Sequence, residues 1–151
     1  MSDTVKQIRE AIESRIEALP LLFSKLDNKF DLEKNNLTNE SKRYGVIAGA
    51  GSNSPGIIRH LTVDRVFSIT LCNKFISTMN GDVKQQQVGD ILEDQMEAII
   101  IDLSSSNLGL GSTVIEVVYS SNEEINYEEV ENLAILRFNI VVKYRKQVTS
   151  C

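Results

Sequence analysis

The chain has 151 residues and a mass of 16.9 kDa, the size of one domain, and at 42% hydrophobic and 25% charged it has enough apolar material to close its own core. Sixteen lysines and arginines stand against 21 carboxylates, giving a net charge of -5 and a pI near 4.9, which argues against a broad basic surface for gripping phosphates. One histidine and two cysteines exclude chemistries that need two histidines, and with them His-rich metal sites, within one chain.

No basic segment followed by an apolar run opens the sequence, so no secretory signal is expected, and Ala98-Ile99-Ile100-Ile101 is far too short to cross a bilayer. A reduced, cytosol-like compartment follows. There Cys72 reads as a small core or sheet-face residue and Cys151 as part of a frayed terminus. One domain is expected over 1–151, with a loose tail at 147–151.

In chain order, Val5, Ile8, Ile12, Ile16 and Leu19 recur at helical steps and predict an amphipathic helix over 4–19, opened by Thr4 with Gln7 and closed before Pro20. On its outer face Lys6 and Glu10, and Arg9 and Glu13, are four apart and read as solvated pairs. Ser24 to Arg43 is a polar run that is either a binding loop or an outlying strand. Tyr44 to Ala50 predicts a short strand, and Gly49 to Gly56, dense in turn formers, predicts a mobile bend. Arg65 to Phe75 alternates, with Phe67, Ile69 and Leu71 on one side and Ser68 and Thr70 on the other, as in a half-buried strand.

Asn80-Gly81-Asp82 supplies a break and a cap for a second helix over roughly 82–103, with Val88, Ile91, Leu92, Gln95, Met96, Ile99, Ile100 and Leu103 inward and Gly89 weakening its start. After a loop over 104–111, a strand is expected at Thr113–Tyr119 and an acidic connection at Glu123–Glu131. The last strand alternates most clearly, Leu136, Phe138, Ile140, Val142 and Tyr144 against Arg137, Asn139, Val141, Lys143 and Arg145. The order helix, strand, strand, helix, strand, strand predicts an α+β domain. Two amphipathic helices would pack on one face of a mostly antiparallel sheet of about four strands, the last two joined by about a dozen residues.

Chemical motifs are sparse. Gly49, Gly51 and Gly56 lack the lysine or the helix that a phosphate loop needs, and His60 with Asp64 lacks a nucleophile context. Glu93, Asp94 and Glu97 fall opposite the core and read as solvation. No catalytic residue, cofactor site or metal site is assigned, and the chain is expected not to be an enzyme. The charge layout carries more. Glu123, Glu124, Glu128, Glu129 and Glu131 come without a base, followed by Arg137, Lys143, Arg145 and Lys146 without an acid. This is either an exposed loop beside a solvated sheet face, or a pair of complementary surfaces joining neighbouring copies.

The stretches Leu32-Glu33-Lys34-Asn35-Asn36 through Arg43-Tyr44-Gly45-Val46, Val63 through Leu71, and Leu136 through Arg145 resemble the tail terminator and neck proteins of tailed bacteriophages, in order and texture over roughly residues 4–146. The resemblance implies a structural protein of the virion that forms a hexameric ring. Such a ring caps the tail tube, docks on the head-side connector and lets DNA pass through its lumen without specific binding. It carries no active-site motif. From charge and loop composition, the candidate interface residues are Glu123, Glu124, Glu128, Glu129, Arg137, Lys143, Arg145, Gly49, Gly51 and Asn53. The alternative is a non-enzymatic scaffold or binding subunit of a bacterial multiprotein complex.

Overall fold

A computed structural model describes residues 4–20, 23–26, 42–54, 60–74, 81–106, 108, 114–128 and 133–147, with backbone alone at 50, 52–54, 60–61, 74, 81–88, 106, 121–128, 133 and 146–147. The elements are α1 (Thr4–Ala18), β1 (Ser24–Lys25), β2 (Lys42–Ser54), β3 (His60–Lys74), α2 (Gly81–Ser106), β4 (Val114–Glu128) and β5 (Leu133–Gln147). The strands form one sheet in the order β1-β2-β3-β5-β4, antiparallel throughout except for the parallel pair β1–β2. This is the expected α+β fold, with five strands in place of about four.

Alternation builds the sheet. Phe67, Ile69 and Leu71 on β3, and Leu136, Phe138, Ile140, Val142 and Tyr144 on β5, are buried on one face, paired so that Phe67 lies opposite Ile140 and Leu71 opposite Leu136. The same face receives Ile8, Ile12 and Ile16 from α1 and Leu92, Met96, Ile99 and Leu103 from α2, which together make the main core. Helix α1 lies over β2, and α2 lies over β4 and β5. The helices are tied to each other by Arg15, whose Nε and Nη2 donate to the two carboxylate oxygens of Asp102 at 2.9 and 2.8 Å. That paired hydrogen bond holds the guanidinium charged and raises its pKa.

Four expectations need correction. The glycine-rich segment read as a mobile bend is strand as far as Ser54: β2 continues through it with a bulge, because Ala48 pairs with Phe67 while Gly51 pairs with Arg65, leaving Gly49 and Ala50 opposite Val66 alone. Residues 55 and 56 lie outside the described residues. The acidic segment after Tyr119 is also strand, since β4 runs on to Glu128, and only four residues separate it from β5. For His60 the sequence allows a surface or a loop position, and loop is wrong, since it opens β3 in register with Gln147. Ile91 is not inward but 38% exposed. The polar run after Ser24 does hold an outlying strand, β1, whose register continues through the bond from Leu26 N–H to Tyr44 O (2.9 Å); residues 27–41 lie outside the description, as does Cys151.

Candidate subunit interface

The hairpin of β4 and β5 contains most of the charged candidates, and its register decides what they meet. Glu124 pairs with Arg137 and Glu116 with Lys143, so acids and bases that are well separated in sequence become cross-strand neighbours inside one chain. Each such opposite-charge pair is worth about 0.2–1 kcal/mol in a sheet. Arg137 and Arg145 are exposed and Lys143 is partly exposed, all on the face that carries neither helix. Lys143 occupies a row between Asp64 of β3 and Glu116 of β4, and Oδ1 of Asp64 is buried without a hydrogen-bond donor. Glu123 falls where β4 bulges, three residues facing Phe138 between the pairs Ser120–Asn139 and Glu124–Arg137. Glu128 pairs with Leu133, and Glu129 lies outside the described residues.

Gly49, Gly51 and Asn53 sit on β2 at the other side of the sheet, so the structure does not bring them together with the acidic candidates. Asn53 pairs with Val63. The two glycines have a packing reason. Arg65 lies across the bulge, donating from Nη1 to Gly49 O (2.8 Å) and from Nε to the Tyr144 hydroxyl (3.2 Å). A Cβ on Gly51 would stand 2.9 Å from Arg65 Nη2, and one on Gly49 would stand 3.0 Å from Val66 O. At Gly49 the obstacle to a side chain is fixed backbone, and at Gly51 it is the guanidinium, which would have to shift.

Two features escaped the sequence reading. The first is Glu13, read as half of a solvated pair with Arg9. Its side chain is in fact buried, because β1 brings Lys25 Nζ to 3.4 Å from Oε1, with Arg9 Nε 4.0 Å away, while its carbonyl accepts from the Tyr44 hydroxyl (3.2 Å). Arg9, Glu10, Glu13, Ser14, Glu17 and Lys25 line an open groove of about 360 Å³ there. Burial foremost, then the carboxylates of Glu17 and Glu13, raise the Tyr44 pKa and keep it a neutral donor. No helical or strand period marks Lys25, so nothing in the sequence linked it to Glu13. The second is a buried amide pair, Asn73 and Gln95, exchanging hydrogen bonds of 3.0 and 3.1 Å between β3 and α2.

Lys6 and Glu10 do form the expected exposed pair at 4.0 Å, and Glu93, Asp94 and Glu97 are exposed as expected. Cys72 is buried on the helix-free face beside Leu26 and Ile135, and burial pushes its thiol up to about 11, with Arg137 opposing the shift. It is therefore protonated at neutral pH and a poor nucleophile. Among the described residues no three potential metal ligands come together, and no helix is long and apolar enough to cross a membrane.

The exposed large hydrophobics of the described residues are on α2 and β4, with Val118 in register with Val141 on the helix-free face. Ile91 (38%) and Ile101 (64%) are on α2, and Ile115 (37%) and Val118 (46%) are on β4, the edge strand beneath it. The chain matches no protein-family model and no curated protein.

Proposed function

We propose that this chain is a structural subunit that works by associating with copies of itself, as a ring-forming protein of a phage head-tail junction that caps the tail tube and docks on the connector. The observation that supports this reading is the inequality of the two sides of the sheet. One border is the 15-residue β4 under α2, and the other is the two-residue β1 on β2 under α1. Two unlike sides can meet only head to tail, and repeated head-to-tail contacts close into a ring when the rotation per subunit divides a full turn. The exposed isoleucines and valine on the α2–β4 side add apolar area to such a contact. A ring lumen lined by an acidic protein would repel phosphates weakly and let DNA slide.

Light scattering on the purified chain over a wide concentration range, with negative-stain imaging and sedimentation with tail tubes, tests the reading. Rings, in solution or on tube ends, are expected. A strict monomer at high concentration that also ignores tail tubes would overturn it, and a fixed complex with an unrelated bacterial protein would favour the scaffold alternative.

A further inference from the structure

The charge on the individual elements identifies which surfaces meet. Helix α1 has three bases and three acids and is neutral. Helix α2 has six acids and a single lysine. Strand β4 has four acids and no base, and β1 with β2 has three bases and no acid. Two of the four β4 acids, Glu116 and Glu124, stand in register with Lys143 and Arg137 of β5, and α2 adds six acids against one lysine on the same flank. Among the described residues, charge therefore differs along the strand order: acidic on the α2 side, basic on β1 and β2.

The acidic flank also has the more prominent apolar anchor. Asp90, Glu93, Asp94 and Glu97 are exposed on α2, and Ile101, one helical turn beyond Glu97, is the most exposed large hydrophobic among the described residues. On the opposite flank Lys25 serves Glu13, and Arg43 donates to Lys25 O from an exposed position at 2.9 Å, leaving the charges of Lys42 and Arg43 available. The β4 edge itself is poorly suited to adding a flat strand from a neighbour. It bulges between Val114 and Glu116 and again between Ser120 and Glu124, and glutamates punctuate it, two devices by which edge strands avoid uncontrolled pairing. Recognition by side chains of α2 fits that arrangement better than strand addition.

We infer that the occupant of the acidic α2 flank is a second copy of this chain, presenting its basic β1–β2 flank, with Ile101 at the contact, Glu97, Asp94 and Glu93 facing Lys42 on the helix-covered side of the neighbour's β2, and Arg43 adding positive charge from the opposite face of the same strand. The inference rests on the self-association proposed above and names its surfaces. It also moves the charge complementarity away from the β4–β5 hairpin, where Glu116 and Glu124 are in register with Lys143 and Arg137 of the same chain.

Two variants test it by mixing. The first, Glu97→Lys with Ile101→Lys, disables the acidic flank at exposed positions. The second, Arg43→Glu with Lys42→Gln, disables the basic flank. Circular dichroism and thermal melting check both folds, and Arg43→Gln replaces the second variant if it melts early. Each variant alone should run as a monomer in light scattering. An equimolar mixture should give a species of twice the 16.9 kDa chain mass and no larger, since each partner keeps one working flank. Higher salt should weaken the wild-type assembly. If the wild type assembles and either folded variant assembles equally well, this pair of flanks is wrong while the self-association reading stands. A mixture of monomeric variants that does not dimerise also overturns it. A wild type that stays monomeric and ignores tail tubes removes the self-association reading itself.

Discussion

The two faces of the sheet are built by different physics. On the helix-covered face, Phe67, Phe138, Ile140 and Leu136 touch the isoleucines of α1 and the Leu92, Ile99 and Leu103 of α2, and stability there comes from close packing and apolar burial. On the other face the rows read Ser68 with Asn139, Val66 with Val141, and Asp64 with Lys143 and Glu116, a ladder of short polar, apolar and charged pairs left partly exposed. The Ser68 hydroxyl bonds to Asn139 Oδ1 at 2.8 Å. One backbone therefore carries a face that tolerates almost no change in volume and a face whose individual contacts are worth little and whose charges can be rearranged.

The sharpest test of that contrast is Phe138→Ala, which removes a fully buried ring from the covered face and should cost about 3–5 kcal/mol in urea unfolding. A loss below about 1 kcal/mol would mean that this face is not packed as described. Next comes Asn73→Ala, which tests whether polar contacts under the helix behave like the core around them. It strands the Gln95 amide in a buried site and should cost about 1–3 kcal/mol, whereas an exposed amide would lose far less.

The third prediction concerns alkaline pH and belongs to the buried corner of the open face. The Cys72 thiol ionises near its ordinary value of 9.0 in the unfolded chain but near 11 in the folded one, so above pH 9 the unfolded state binds fewer protons and stability falls as pH rises, levelling past 11. By pH 10 the loss should be on the order of 1 kcal/mol, and Cys72→Ala should remove that part of the slope. The Tyr44 hydroxyl, also raised by burial, adds a decline of the same sign that the variant keeps. An unchanged slope in the variant would place Cys72 in contact with solvent. The smallest effect is expected of Ser68→Ala on the open face, about 0.5–1.5 kcal/mol, measured in the same urea titration.

The same two faces explain what could be read from the sequence. The covered face writes a periodic signal into the chain, so α1 and the alternating run of β5 emerged at nearly their true bounds. The interior of α2 followed for Leu92, Gln95, Met96, Ile99 and Leu103, with Ile91 the exception at the rim of the apolar stripe. Illegible were the segments whose strand character comes from a partner. Gly49 to Ser54 is composed of residues that strands generally avoid, yet β3 lies beside it and supplies the ladder, with the Val66 carbonyl leaving little room for a side chain at Gly49 and the Arg65 guanidinium little at Gly51. The second half of β4 is strand for the same reason, held against β5 despite Glu123, Glu124 and Glu128. Charge opposition between acids and bases was visible as composition, but only the register places Glu124 opposite Arg137 on the neighbouring strand of the same chain. The carboxylates Glu93, Asp94 and Glu97 of α2 were legible as an exposed face, because they fall opposite the apolar stripe of the helix.

The Arg65 contact has a mechanical consequence. Its guanidinium grips the Gly49 carbonyl on β2 and the Tyr144 hydroxyl on β5, so one side chain anchored in β3 braces three adjacent strands crosswise at the bulged end of the sheet. The ladder bonds of β2–β3 and β3–β5 each join two neighbouring strands, and Arg65 adds from one side chain a contact to both of β3's neighbours. Loss of that one guanidinium would therefore release a contact to β2 and a contact to β5 together at the bulged end.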